Sequence, residues 1–288
     1  MDSATESTGT LLASCNDQKG IVAALAQLLY GHGANILDSS QHSDTGEGRF
    51  FQRIRFDMAE LRTDKVALTQ GIEEVAKRFS MTWRLTESGT RKRVAIFVSK
   101  YDHCLYDLLL RHRSGELVCD IPFVVSNHPD LKHVAEQFGV PYHHIPNNKN
   151  IREEAERKEI ELIEKESVDL IVLARYMQIL SADFTEKYAG RVINIHHSFL
   201  PAFVGGRPYH QAAERGVKLI GATAHYATTD LDEGPIIEQD VIRSSHRDRP
   251  KDLVRKGRDI ERNVLSNAVR WHLGDRILIC SNKTVILH

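Results

Sequence analysis

The chain of 288 residues has no apolar run approaching the roughly 20 residues that a membrane-spanning helix needs. Its opening, MDSATESTGT, lacks the basic and apolar blocks of a secretory signal. Four cysteines, Cys15, Cys104, Cys119 and Cys280, are scattered with no C-x-x-C pair, which argues against a disulfide framework and against a cysteine zinc site. Thirty-eight lysines and arginines nearly cancel 39 aspartates and glutamates, so no global basic surface advertises nucleic-acid binding. No G-x-G-x-x-G follows a strand candidate, which removes the dinucleotide fingerprint. Repeats and low-complexity tracts are absent too. What remains, 41% hydrophobic and 27% charged, is a globular protein expected in a reducing cytoplasm, without membrane or nucleic-acid partners.

The residues that are present fall into two patterns. TLLASC (10–15) reads as a strand, followed by a helix bearing Ile21, Val22, Leu25, Leu28 and Leu29 with Asn16 or Asp17 as its cap. His32-Gly33 ends that helix, and a strand near 35–41 leads through the turn-rich SDTGEG into the alternating RFFQRIRF. A helix over about 64–80 turns Val66, Leu68, Ile72, Val75 and Phe79 to one face, and MTWRLT closes a βαββαβ unit of ferredoxin-like type. GTRKR (89–93) is basic and turn-prone, which sets the expected boundary between residues 1–90 and 91–288.

Beyond it, short apolar strands at 94–99, 119–126, 141–145, 168–174 and 191–195 alternate with helices from His103, near 130–138 and over 151–166. That order predicts a Rossmann-like, doubly wound, mostly parallel sheet. The 151–166 helix, IREEAERKEIELIEKE, reads as a solvated, charge-rich surface element. LIGATAHYA and PIIEQDVIR then form an antiparallel pair around TTDLDEG, a long helix covers about 250–272, and RILIC…TVILH suggests a terminal hairpin.

Ligands of doubly wound sheets collect at the carboxyl ends of strands. NIHHSFLPAF (194–203) begins at such an end, and strand alternation puts Asn194 and His196 on one side. An amide donates to an oxyanion without titrating, and an imidazole exchanges protons near neutral pH. The alternative is a buried histidine bonded to a backbone carbonyl. His197 faces the other side if the strand continues, which suits a structural role. Asp230, Asp232 and Glu233 cluster in the 228–235 turn. They are either a solvated hairpin tip or the source of a carboxylate that orients His196. His196, His197, His210 and His225 fall within thirty residues, and His143-His144 form another pair, but none has H-x-x-x-H or H-E-x-x-H spacing, so no metal is expected.

Taken together, NIHHSFLPAF, VLARYMQIL (172–180) and HYATTDLDEGPII (225–237) resemble the signature of the formyltetrahydrofolate-using hydrolases and transferases. The resemblance implies a catalytic triad of Asn194, His196 and Asp232. It also implies a pterin pocket built from Met177, Gln178, Ile179 and Leu180 on one side and Thr228, Thr229, Asp230 and Leu231 on the other, with His225 lining it. The transferases that act on glycinamide ribonucleotide carry a glycine-rich phosphate loop after their first strand. Here VSKYDHCLYDLL (98–109) has no glycine, so no phosphate cradle is in view. The segment LLASCNDQKGIVAALAQLLYGHGANILDSSQH (11–42) resembles an ACT domain, a module that binds small amino acids and tends to pair. That implies Asp17, Gly20 and Asn35 as effector contacts, with capping and turn formation as the alternative, and a homo-oligomer. With RPYHQAAERGVKLIGATAHY (207–226), the whole points to the hydrolase branch. The expected reaction is attack of water on 10-formyltetrahydrofolate, giving formate and tetrahydrofolate; the folate is substrate, and no cofactor is expected. A formyltransferase with another acceptor and an inert amino-acid or folate sensor are the competing readings.

Overall fold

The computed structural model describes residues 7–148, 150–201 and 208–288. Ala202 and Phe203 of NIHHSFLPAF, and Arg207 of the RPYHQ stretch, lie outside the described residues. The chain divides into two compact units: Met1–Thr90 with residues 275–280 and 285–288, and Arg91–Gly274 with residues 281–284. Among the described residues no helix is long and apolar enough to cross a membrane.

The first unit runs β1 (Thr8–Asn16), α1 (Ile21–Gly31), β2 (Asn35–Asp44), β3 (Arg49–Asp57), α2 (Lys65–Phe79) and β4 (Thr82–Glu87), with antiparallel order β2-β3-β1-β4. Alternation turns Leu11, Ala13, Cys15, Phe50, Ile54 and Phe56 toward the helices, where Ile21, Leu25, Leu29, Leu68, Ile72 and Phe79 complete one apolar core. Arg53 points from the other face. It is buried, and it donates to Asp38 (2.8 Å) and to the Asp275 carbonyl (3.0 Å) in the C-terminal stretch of the same unit.

Two local expectations change. Neither Asn16 nor Asp17 caps α1: Asn16 ends β1 opposite Arg49, and the Asp17 amide donates to the Gly48 carbonyl (2.8 Å). The cap is Gly20, at φ +95°, a conformation that suits glycine. In α2, Asp64 is the cap, accepting from the Ala67 amide (2.7 Å), but Val66 is 64% exposed. The buried face of α2 is Leu68, Ile72, Ala76 and Phe79, and Val66 stands about 200° around the helix from Leu68.

The second unit holds a seven-stranded sheet, order β11-β10-β9-β8-β5-β6-β7. β5 (Val94–Val98), β6 (Val124–Ser126), β7 (Tyr142–His144), β8 (Leu170–Leu173) and β9 (Val192–His196) are parallel; β10 (Leu219–Tyr226) and β11 (Ile236–Arg243) are antiparallel. The chain leaves β5 toward β6 and β7, then returns to β8 on the other side. That reversal opens the crevice expected of a doubly wound sheet. The helices are α3 (His103–Arg113), α4 (Lys132–Gln137), α5 (Arg152–Lys165), α6 (Ala182–Lys187), α7 (Pro208–Glu214) and α8 (Pro250–Leu273); the tail forms the hairpin of β12 (Ile277–Cys280) and β13 (Lys283–Ile286).

α5 is not the purely solvated helix its composition suggests. Glu156 and Glu159, one turn apart, are 5% and 0% exposed. α6 was not foreshadowed by periodicity, being six residues long, but Ser181 caps it by accepting from the Phe184 amide (3.2 Å).

The β10–β11 connection leaves no room at Gly234. A Cβ there would lie 1.8 Å from the Tyr226 carbonyl oxygen, a backbone atom that cannot swing away. Gly234→Ala is therefore expected to destabilise the chain by about 1–3 kcal/mol, read as a thermal midpoint lowered by several degrees. An unchanged midpoint would show that the turn relaxes freely.

Candidate active site

β9 ends at His196, at the carboxyl edge of the sheet, with Asn194 and His196 on the same side. β10 pairs with it antiparallel, setting His225 opposite Asn194 and Thr223 opposite His196. The hairpin loop that leaves β10 then folds back over the end of β9. Within it Asp232 adopts φ +60°, a left-handed conformation that aspartate tolerates better than most residues. Its Oδ1 accepts from His196 Nδ1 at 3.1 Å and lies 3.7 Å from His225 Nε2.

These contacts fix proton positions. With Nδ1–H of His196 directed at Asp232, its Nε2 is left as the working atom; it is buried and has no hydrogen-bond partner among the described residues. His225 Nδ1 faces the Tyr226 carbonyl (3.0 Å) and must donate, so its Nε2 accepts from Asn194 Nδ2 (3.1 Å). One amide N–H of Asn194 is thereby committed, and the amide orientation set, leaving the second N–H for a ligand. Burial works to raise the Asp232 carboxyl. The hydrogen bond from His196 and the proximity of His225 more than offset it, holding the group well below the ordinary range and therefore charged.

A cavity of about 340 Å³ opens above these groups. Asn194, His196 and Asp232 line it, together with Met177, Gln178, Ile179 and Leu180 on one wall and His225, Thr228, Thr229, Asp230 and Leu231 on another. Every folate-contact candidate of the second unit thus meets at one place. Met177, Ile179 and Leu231 are more than half exposed around it, an apolar rim suited to a flat ring system.

Residues 177–180 belong to neither helix nor strand, and side chains give them their shape. The Met177 amide donates to Ser99 Oγ (3.0 Å), and Ser99 in turn donates to Asn127 Oδ1 (2.7 Å). The Tyr176 hydroxyl donates to Glu159 (2.7 Å) and the Ser181 amide to Glu156 (2.7 Å).

Among the lining residues outside the expected set are His197 and Arg175. His197 lies beyond the end of β9, so strand alternation no longer governs it. It faces the same cavity, its ring centroid 5.2 Å from that of His196. Burial, with help from Arg175 and His196, pushes its imidazole down to about 3, which makes it a neutral neighbour near pH 7. Arg175, within VLARYMQIL, is buried at φ +63° with its Nε 3.5 Å from Glu261. Glu261 also accepts from His103 Nε2 (2.8 Å) and the Tyr209 hydroxyl (2.6 Å). His103, Cys104 and Glu261 bring ligand atoms within 4.8 Å of one another, the group of described residues closest to a metal site. Its carboxylate is already engaged on both oxygens, and burial first, then Glu261, raises the Cys104 thiol, so the donor set favours hydrogen bonding over an ion.

Asp17, Gly20 and Asn35 do not come together within the chain. Asp17 and Gly20 follow the end of β1, whereas Asn35 pairs with Asp57, which pairs with Thr8 at its beginning. Nine residues of strand, roughly 30 Å, separate the two ends.

Glu159 supplies a pH test of this wall. Burial, with Glu156 adding to it against the Tyr176 hydrogen bond, pushes its carboxyl from 4.5 up to about 7. The native state then binds more protons than the unfolded chain between those values, so this group's contribution falls as pH rises through the window. Glu159→Gln removes the titration. Its thermal midpoint relative to wild type is expected to climb from about pH 4.5 to about pH 7 and then level off, a difference on the order of 3 kcal/mol. Parallel curves across the window would contradict this.

Comparison with known proteins agrees with the geometry. Residues 92–269 match the family described as formyl transferase, and residues 9–70 match the ACT domain. The formyltetrahydrofolate deformylase of Bacillus subtilis (strain 168) is 53% identical over 284 residues, covering 98% of this chain and 95% of that protein. That of Escherichia coli (strain K12) is 42% identical, covering 95% and 96%. The crystal structure of a formyltetrahydrofolate deformylase from Pseudomonas syringae pv. tomato str. DC3000 superposes with TM-score 0.96 at 47% identity, over 99% of this chain and 96% of that one. Glycinamide ribonucleotide transformylase 1 from Symbiobacterium toebii gives 0.66 at 29% identity, over 71% and 98%. The chain belongs to the formyl transferase family, in the group of formyltetrahydrofolate deformylases that carry an ACT domain ahead of the formyl transferase domain.

Proposed function

We propose that the chain hydrolyses 10-formyltetrahydrofolate to formate and tetrahydrofolate at the cavity lined by Asn194, His196 and Asp232. The observation that carries this reading is the 3.1 Å pair of His196 Nδ1 and Asp232, which turns toward a cavity edged by apolar side chains an imidazole nitrogen that has no hydrogen-bond partner among the described residues.

Each residue has a part that its surroundings support. A water molecule attacks the formyl carbon; the charged Asp232 helps position it and holds Nδ1–H of His196, whose Nε2 takes up the water's proton. The free N–H of Asn194 and the protonated Nε2 of His196 donate to the oxyanion of the tetrahedral intermediate. Such a donor is worth about 3 kcal/mol in other acyl-transfer enzymes. As the C–N bond breaks, His196 gives its proton to the leaving nitrogen of tetrahydrofolate, and the second water proton is lost when formate ionises. His225, bonded to Asn194 and the Tyr226 carbonyl, holds the amide donor in place. The walls at 177–180 and 228–231 receive the pterin. The folate is substrate, and these residues account for every bond and proton.

The same proposal assigns hydrolysis to the formyl transferase domain expected over residues 91–288 and a regulatory role to residues 1–90. A small amino acid is the effector, and copies pair through that domain. The separation of Asp17 and Gly20 from Asn35 fits this, since two copies side by side can complete a site that one chain leaves divided.

Asp232→Asn and His196→Ala are each expected to lower formate release by at least a hundredfold, assayed with purified protein and no added acceptor, while tetrahydrofolate still binds. Wild-type turnover by either variant would sink the assigned roles. Turnover that requires an added amine would favour the transferase reading, and folate binding without any turnover the sensor.

A further inference from the structure

Two buried carboxyl groups of α5 stand on one face, at positions i and i+3, and their hydrogen bonds go to residues outside the catalytic triad. Burying a carboxylate is costly unless hydrogen bonds replace its water, so a surface helix that buries two of them must gain something in return. Their partners indicate what. Glu156 accepts from both the amide (2.7 Å) and the hydroxyl of Ser181, the residue immediately after Met177–Leu180. Glu159 accepts from the hydroxyl of Tyr176 (2.7 Å), the residue immediately before that stretch, and Asn147 donates to the same hydroxyl (3.2 Å).

The four residues between are half exposed or more at Met177 and Ile179, and neither helix nor strand holds them, while Tyr176 at one flank is 4% exposed. We propose that Glu156 and Glu159 act as a two-point clamp that positions the 177–180 wall for the folate ring, making them positioning residues for substrate affinity rather than for the chemical step. The inference rests on the cavity being the folate site. It predicts a specific division of effects. Loss of either grip lets the wall relax between turnovers, which weakens binding. The distances among Asn194, His196 and Asp232 are set by β9, β10 and the hairpin loop, and they stay as they are.

The test is steady-state hydrolysis of 10-formyltetrahydrofolate by wild type, Glu159→Ala, Glu159→Gln, Tyr176→Phe and Ser181→Ala. Removing one buried hydrogen bond is expected to raise KM about tenfold in Glu159→Ala and severalfold in Tyr176→Phe and Ser181→Ala, with kcat within twofold of wild type. Glu159→Gln keeps an acceptor oxygen for Tyr176 and is expected to restore KM to within about twofold. Tyr176→Phe retains the packing of the ring, so it reads the clamp even if Glu159→Ala does not fold. The clamp is overturned if KM stays at the wild-type value in Tyr176→Phe and Ser181→Ala, if kcat falls instead of KM rising, or if Glu159→Gln is as impaired as Glu159→Ala. A wild-type chain that releases no formate would defeat the proposed activity and not the clamp. Calorimetric Kd values for tetrahydrofolate across the same variants then decide it, with the same tenfold and severalfold losses expected.

Discussion

The antiparallel pairing of β10 with β9 is the constraint on which the site depends. Running antiparallel, β10 passes from the carboxyl end of β9 toward its beginning, sets Thr223 against His196 and His225 against Asn194, and its hairpin loop folds back to bring Asp232 to His196. One register therefore places all four polar groups. A shift by a single residue would turn His225 to the other face and break the set.

Around this frame the unit buries several carboxyl groups, and each case is satisfied differently. Asp232 is kept ionised chiefly by the N–H of His196. Glu261 is kept ionised by His103 and Arg175, with the Tyr209 hydroxyl completing its shell, in spite of near-complete burial. Glu159 has only a neutral hydroxyl and lies near a second carboxylate, so it holds its proton up to about 7. The contrast follows from the partners: cationic or proton-sharing neighbours favour the charged form, and a lone hydroxyl does not compensate for lost water. Charge at the reacting centre is thus held permanently, while charge beneath the wall is conditional on pH.

Much of this was legible in the residues alone. The βαββαβ unit followed from alternating periods of two and 3.6, and the parallel sheet from short apolar strands separated by helices. Asn194 and His196 followed from alternation at a strand end. Asp232 and the 177–180 and 228–231 walls were named by resemblance to a family, and the fold brings them to the cavity that Asn194 and His196 line. What the sequence hid was contingent on partners far along the chain. Glu156 and Glu159 sit in a stretch of charge that looks solvated, and only the packing of α5 against residues 176–181 buries them. His197 was turned the wrong way because alternation ends with the strand, and the strand ends one residue earlier.

Local chemistry, then, determined which elements form and which side chains are fit for proton transfer and oxyanion binding, because periodicity and functional groups are properties of short segments. Tertiary structure alone decided which nitrogen of His196 is free, which hydrogen of Asn194 remains to be used, and which glutamates are buried. Each of those depends on a partner brought from 17 to 36 residues away: Glu159 and Asn147 to Tyr176, Glu156 to Ser181, His225 to Asn194, and Asp232 to His196. Distances of that kind are fixed by strand order and register, which no short window of sequence contains.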